Sequence, residues 1–148
     1  MSLKEQIIED LKTAMKSGDK VRLQVVRSIR ALLLEYEKSG KTEEMTPEME
    51  LGLLTTAAKK RKESIEQFRK GDRNDLAESE EAELKIIQEY LPKQLSEEEI
   101  KLEVQRIAVE VGASTKQDFA KLMPAAMQAL KGKADGKVVK EIVTSILG

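Results

Sequence analysis

Residues 90–100 read Tyr90-Leu91-Pro92-Lys93-Gln94-Leu95-Ser96-Glu97-Glu98-Glu99-Ile100. This stretch stops one helix and starts another. The residue before a proline is pushed out of the α region, so Leu91 is a natural helix end. A complete start signal follows at once. Ser96 can cap with its hydroxyl, Glu99 can reach back to close a capping box, and Leu95 can staple onto Ile100. The chain therefore reads as two helical parts, residues 1–92 and 93–148. The second, at about 55 residues, is marginal as a free-standing domain, so the two are expected to touch.

Working outward, the apolar period is helical almost everywhere. Leu3, Ile7, Leu11 and Ala14 recur at steps of three and four, with Ile8 and Met15 beside them. That predicts a first helix ending near Ser17-Gly18. Asp19 can cap a second helix with the stripe Val25, Val26, Ile29, Leu32, Leu33 and Tyr36, broken at Ser39-Gly40-Lys41-Thr42. Thr46 and Pro47 suit the N-cap and first position of a third helix running to about Lys70. Asn74 or Asp75 starts a fourth.

Beyond Pro92, the fifth helix runs to Gly112 through Val104, Ile107, Ala108 and Val111. Thr115 and Asp118 mark a further capped start, ahead of Phe119, Leu122, Met123, Ala126 and Leu130, with Pro124 expected to kink or split that helix. Asp135 can cap the last helix, with Val138, Val139, Ile142, Val143, Ile146 and Leu147 facing inward. No strand alternation interrupts these patterns. The fold class is all-α: a four-helix N-terminal part, then a small three-helix domain.

Composition narrows the chemistry. The 148 residues contain no Cys, His or Trp. Disulfides, thiolate nucleophiles, Cys/His zinc sites and imidazole acid–base catalysis are excluded within the chain. No Gly-x-Ser-x-Gly setting activates a serine. No catalytic residue, cofactor or metal site is read from the sequence. No apolar run approaches the roughly 20 residues that span a bilayer, and the start, Met1-Ser2-Leu3-Lys4-Glu5, lacks a signal-peptide layout. A soluble cytoplasmic protein is the expectation.

The net charge of -1 hides an uneven distribution. Residues 1–92 carry 17 basic and 19 acidic groups, whereas residues 113–148 carry six Lys against Asp118, Asp135 and Glu141. The basic end of the chain is its C-terminal end.

Three constellations stand out. In the third helix the stripe is Leu51, Leu54, Ala58, Arg61, Ile65 and Phe68, with Arg61 in the middle of the face that should be buried. In the fourth, Glu80 and Glu83 lie among Leu76, Leu84, Ile87 and Leu91. Lone charges are costly to bury, so a structural ion pair between Arg61 and Glu80 or Glu83 is expected, with an arginine fork holding a carboxylate bidentately. Arg27 and Arg30 are spare partners. The alternative is a metal or acid–base use of the two carboxylates. The second constellation, Lys59-Lys60-Arg61-Lys62 with Arg69-Lys70, reads as a solvated face interrupted by Glu63 and Glu66.

The third is Lys131-Gly132-Lys133-Ala134-Asp135-Gly136-Lys137. Turn chemistry accounts for much of it: Gly132 permits a positive φ, and Asp135 caps. Three lysines beside a helix N-terminus and its backbone N–H groups also make a phosphate contact reasonable, although neither the spacing nor the strand of a P-loop is present.

Residues Lys62-Glu63-Ser64-Ile65-Glu66-Gln67-Phe68, Arg73-Asn74-Asp75-Leu76-Ala77, Glu80, Glu83-Leu84 and Tyr90 to Ser96 together resemble the YqeY-like family. These small bacterial proteins share a domain with the B subunit of the aspartyl/glutamyl-tRNA amidotransferase. Leu122-Met123 and Lys131 to Gly136 look like that subunit's tail, with Ala120 where the tail pattern has Gly. The resemblance implies a two-part helical fold and a tail that helps hold tRNA. It also carries an association with carbon–nitrogen ligase activity using glutamine as amido-N-donor. That activity belongs to other domains and is not expected of this chain alone.

The leading expectation is thus a tRNA-binding accessory module. Lys131, Gly132, Lys133, Gly136 and Lys137 would form the contact, and Lys116, Lys121 and Lys140 would extend the basic face. The alternative is a protein–protein adaptor for an aminoacyl-tRNA synthetase, such as a glutaminyl-tRNA synthetase, or for an amidotransferase. No membrane partner is expected.

Overall fold

The computed structural model describes residues 2–40 and 43–148. Met1 and two residues of the expected break at 39–42, Lys41 and Thr42, lie outside the described residues. The described chain is all-helical and divides into two compact units, the first ending at Leu91 and the second starting at Pro92.

The first unit holds α1 (Leu3–Ser17), α2 (Lys20–Lys38), α3 (Pro47–Lys70) and α4 (Asn74–Glu89). Each start has a local cause, and three have a side-chain cap. Ser2 and Glu5 form a capping box at α1, Asp19 accepts from the Arg22 N–H at α2, and Thr46 accepts from the Met49 N–H at α3 with Pro47 just inside. The fourth start is different. Arg73 precedes α4 without a side-chain cap, and the chain turns through Asp72 at φ 60°. Gly71, which follows the end of α3, keeps a negative φ of -85°.

Helices α1 and α2 pack as one pair, α3 and α4 as another, and α2 lies against α4. Ile7, Val25, Val26, Ile29 and Ile87 are fully buried at their meeting point. Each such aliphatic side chain contributes roughly 1.5–3 kcal/mol by leaving water. Ile8 and Met15, beside the α1 stripe, remain exposed.

Polar contacts fasten the C-terminal end of α4. Glu89 takes Arg22 in a two-pronged ion pair, with its closer contact at 2.6 Å. The half-buried Tyr90 hydroxyl donates to the Asp10 carboxylate of α1. Burial and that carboxylate together raise the Tyr90 pKa above the usual phenol range.

The second unit holds α5 (Glu97–Val111), a 3₁₀ turn (Lys116–Asp118), α6 (Phe119–Ala129) and α7 (Gly136–Leu147). All three α-helices pack on one another around Val104, Leu122, Val139 and Val143. The Ser96–Glu99 capping box is formed, and Leu95 packs on the cluster that contains Ile100. Asp118 accepts from the Ser114 and Thr115 N–H groups, and these bonds hold its carboxyl below the usual range. Pro124 does not split its helix: α6 runs unbroken from Phe119 to Ala129. The break in regular α structure comes earlier, at the 3₁₀ turn. Pro124 then sits only six residues into α6, where its missing N–H and ring affect the bond back to the first turn alone.

Tyr90→Phe removes the Asp10 bond while keeping the ring. Urea or thermal unfolding is expected to show a loss of about 1 kcal/mol. Because the phenol pKa is raised in the folded state, the wild-type advantage is complete below about pH 10 and declines above it, so the deficit of the variant shrinks in alkali.

Candidate functional site

Two of the three constellations acquire a definite geometry. The turn between α6 and α7 begins where Leu130 ends α6 and Gly132 enters the left-handed region at φ 77°. A side chain there would be strained, so the glycine is required. The Lys133 and Ala134 N–H groups fold back onto the Leu130 carbonyl. From outside the turn, the Gln94 side-chain amide donates to the Gly132 carbonyl at 2.7 Å, and the Leu95 N–H donates to the Lys133 carbonyl at 2.9 Å. Asp135 then caps α7 by accepting from the Lys137 N–H at 3.0 Å. The segment after Pro92 thus clamps the turn by both of its central carbonyls.

Lys131, Lys133 and Lys137 are exposed on this clamped turn, and Lys140 is exposed one helical step further along α7. Gly136 lies under Met127, whose Cε would stand 3.0 Å from an added Cβ, so the glycine makes room for that methionine. The backbone changes the anion argument. The N–H groups of Lys133, Ala134 and Lys137 are engaged inside the turn, and the Asp135 carboxylate occupies the helix N-terminus. Any anion met here is met by lysine side chains, not by a backbone cradle.

The expected basic face separates into two places. Lys121 has its ammonium 4.0 Å from the position of an added Cβ on Gly112, at the C-terminal end of α5. The clamped turn is bonded to Leu95, just before the N-terminal end of α5. The 15 residues of α5 separate those ends by about 22 Å at 1.5 Å per residue. Lys121, and Lys116 three residues before the α6 start, therefore sit away from the turn. Lys93, which the sequence reading passed over, stands next to the clamp. The Glu99 carboxyl near it is held below the usual range by the Ser96 backbone and hydroxyl, with the Lys93 charge adding to the effect. Its adjacency to Gln94 was readable, but only the clamp connects both to residues 132 and 133. The same proximity brings Glu97, Glu98 and Glu99 to the lysine end, limiting its net positive field.

In the first unit, Arg61 does lie between α3 and α4. Its Nε is 3.8 Å from Glu83 Oε2 and its Nη1 is 4.0 Å from Glu80 Oε2. The expected bidentate fork is not formed, since both contacts are longer than hydrogen bonds. Nη2 instead reaches Ser28 Oγ on α2 at 3.4 Å. Glu83 is buried, and that burial raises its carboxyl pKa, opposed by the charge of Arg61 and reinforced by Glu80. Arg27 and Arg30 are exposed on α2. In the lysine-rich run, Arg69 pairs with Glu81 and Lys70 with Glu66, as a solvated face does. No cluster of three or more potential metal ligands occurs among the described residues. Among those residues, no helix is long and apolar enough to cross a membrane.

A family profile described as Yqey-like protein matches residues 4–147. The chain belongs to that family. A relative from Pyrenophora tritici-repentis, named Altered inheritance of mitochondria protein 41, mitochondrial, is 33% identical over 144 residues, covering 94% of this chain and 77% of the relative. A protein of the same name from Lachancea thermotolerans is 32% identical over 108 residues, covering 72% of this chain and 58% of its own. An uncharacterized protein of Schizosaccharomyces pombe is 36% identical over 97 residues, covering 64% of this chain and 76% of its own. The mitochondrial names among these YqeY-like relatives overturn the cytoplasmic expectation. That expectation rested on the lack of an apolar span and of a signal-peptide layout, and neither feature specifies a compartment.

Arg61→Met leaves Glu80 and Glu83 facing each other without a cation. A loss of about 2–3 kcal/mol at pH 7 is expected, below the full cost for a deeply buried pair because the groups are partly exposed. The Glu83 pKa is already raised and rises further in the variant. The penalty should therefore shrink as pH falls and the carboxyl takes up its proton. Melting curves across pH check both points. Glu83→Gln, which removes the buried charge and leaves Arg61 facing Glu80, should melt at pH 7 no lower than wild type.

Proposed function

We propose that this YqeY-like chain is a non-catalytic accessory module that contacts the phosphate backbone of tRNA through its C-terminal unit. The reading rests on one observation: a turn clamped at the Gly132 and Lys133 carbonyls presents Lys131, Lys133 and Lys137 outward from a fixed backbone. Phosphate contacts of this kind position an RNA without reading its bases. Lys140 and Lys93 extend the contact. Lys116 and Lys121, at the far end of α5, do not belong to it. The likeness of this segment to an amidotransferase tail supports tRNA over other polyanions. With only 3% aromatic residues, shape and charge carry the recognition, not base stacking. The nearby Glu97, Glu98 and Glu99 make the binding weak and salt-sensitive.

A second reading draws on different residues. Leu102 and Val109, seven positions apart on α5, are 67% and 83% exposed. They share a helix face, as an adaptor docking a synthetase or amidotransferase would require.

Fluorescence anisotropy with purified chain and total tRNA across a salt series separates the readings. Each phosphate-contacting lysine adds about 0.7–0.9 to the slope of log affinity against log salt. The Lys131, Lys133 and Lys137 triple alanine variant should lower that slope by about two to three units, whereas Lys116→Ala with Lys121→Ala should leave it unchanged. An unaltered slope in the triple variant refutes the turn as the contact. The adaptor reading instead expects Leu102→Glu with Val109→Glu to abolish nuclease-resistant capture of a synthetase or amidotransferase.

A further inference from the structure

A cavity of about 390 Å³ opens between α2 and α3 in the first unit, far in sequence from the lysine turn. Among the described residues, its charged lining consists of Lys60 and Arg61, both cations. Leu32, Leu53 and Ala57 supply an apolar wall. The hydroxyl protons at the site are engaged: Ser28 donates to the Val25 carbonyl at 2.7 Å, and Thr56 donates to the Gly52 carbonyl at 2.9 Å. The donors left to face an occupant are thus the ammonium of Lys60 and the guanidinium of Arg61.

Arg61 is underused as a donor. Its single hydrogen bond among the described residues is the 3.4 Å contact to Ser28, and its buried Nε has no acceptor there. Two carboxylates on the α4 side offset its charge from 3.8 and 4.0 Å, but neither forms a hydrogen bond with it. An acceptor entering the cavity would meet a guanidinium to which the described residues supply one long hydrogen bond.

Gly52 adds an independent observation. It lies inside α3, it is not among the glycines with positive φ, and a Cβ added to it would meet nothing within 4 Å. Glycine is the poorest helix former after proline, so this position weakens α3 with no turn or close contact in the chain to require it. What its missing side chain preserves is open space in the cavity.

We propose that this cleft binds a small organic carboxylate, with the head group on Lys60 and Arg61 and the apolar body against Leu32, Leu53 and Ala57. The volume falls within the range of small-molecule sites. A charged head is matched by charge-assisted bonds, and a hydrocarbon body is matched by the wall. The site stands independently of the tRNA reading.

The test is a ¹⁵N-resolved NMR titration of the whole chain with 4-phenylbutyrate. Its neutral alcohol, 4-phenylbutanol, and inorganic phosphate serve as parallel arms. Saturable shifts are expected at the Gly52, Thr56 and Ala57 amides with the carboxylate, about tenfold weaker binding of the alcohol, and no response there to phosphate. Gly52→Leu should raise the melting temperature while abolishing the shifts elsewhere around the cavity. Lys60→Gln should weaken binding without changing the melting temperature. Equal binding of acid and alcohol, full binding by a well-folded Gly52→Leu variant, or shifts confined to residues 131–137 would each overturn the proposal.

Discussion

A guanidinium in the middle of an apolar helix face cannot be left unanswered, and the first unit is arranged around that constraint. Arg61 lies on the α3 stripe between the buried Ala58 and the half-buried Ile65. Turning α3 to bury Leu54 and Ala58 necessarily carries the arginine inward. Helix α4 answers with Glu80 and Glu83 on its own inner face, and α2 with the Ser28 hydroxyl. The pairing of α3 with α4 is therefore fixed in register by charge as well as by shape. Burial above all makes the Glu83 carboxyl hold its proton more tightly than usual, with Arg61 opposing the effect and Glu80 adding to it. The same arginine that closes the α3–α4 interface forms part of the wall of the α2–α3 cleft, so the core and the cleft share one residue.

The second unit depends on a different device. Its lysine turn takes its shape from Gln94 and Leu95, residues some forty positions away that belong to the connection after Pro92. Hydrogen bonds to the two central carbonyls restrict the backbone from which the lysines project. A rigid presentation reduces the ordering cost when a polyanion is met, the general advantage of preorganisation. The Lys133, Ala134 and Lys137 N–H groups are bonded within the turn, so its attraction for anions rests mainly on side-chain charge and responds to salt accordingly.

Much of this was readable in advance. The periodicity placed all seven helices, and the caps at Asp19, Thr46, Ser96 and Asp135 mark their starts because a cap is a local hydrogen bond between near neighbours. The meeting of Arg61 with Glu80 and Glu83 was legible because charges on apolar faces have few places to go. Its looseness was not, since distances depend on how two helix backbones pack. Pro124 does not split its helix because a 3₁₀ turn precedes α6 and leaves the proline near a helix start, which the pattern did not show. The lysines 116, 121, 131, 133, 137 and 140 read as one basic end because they crowd within 25 positions of sequence, while the length of α5 divides them in space.

The sequence by itself determined the helices, their buried faces, the break at Pro92 and the absence of thiol and imidazole chemistry. These are local or compositional facts, settled by residue identity and near-neighbour hydrogen bonds. The tertiary structure alone decided which lysines share a surface, that Gln94 and Leu95 hold the turn, and that a cleft lined by Lys60, Arg61 and the open side of Gly52 lies between α2 and α3. Those features arise from contacts between residues far apart in the chain, and side-chain periodicity carries no record of the distance between two helices once each has buried its own apolar face.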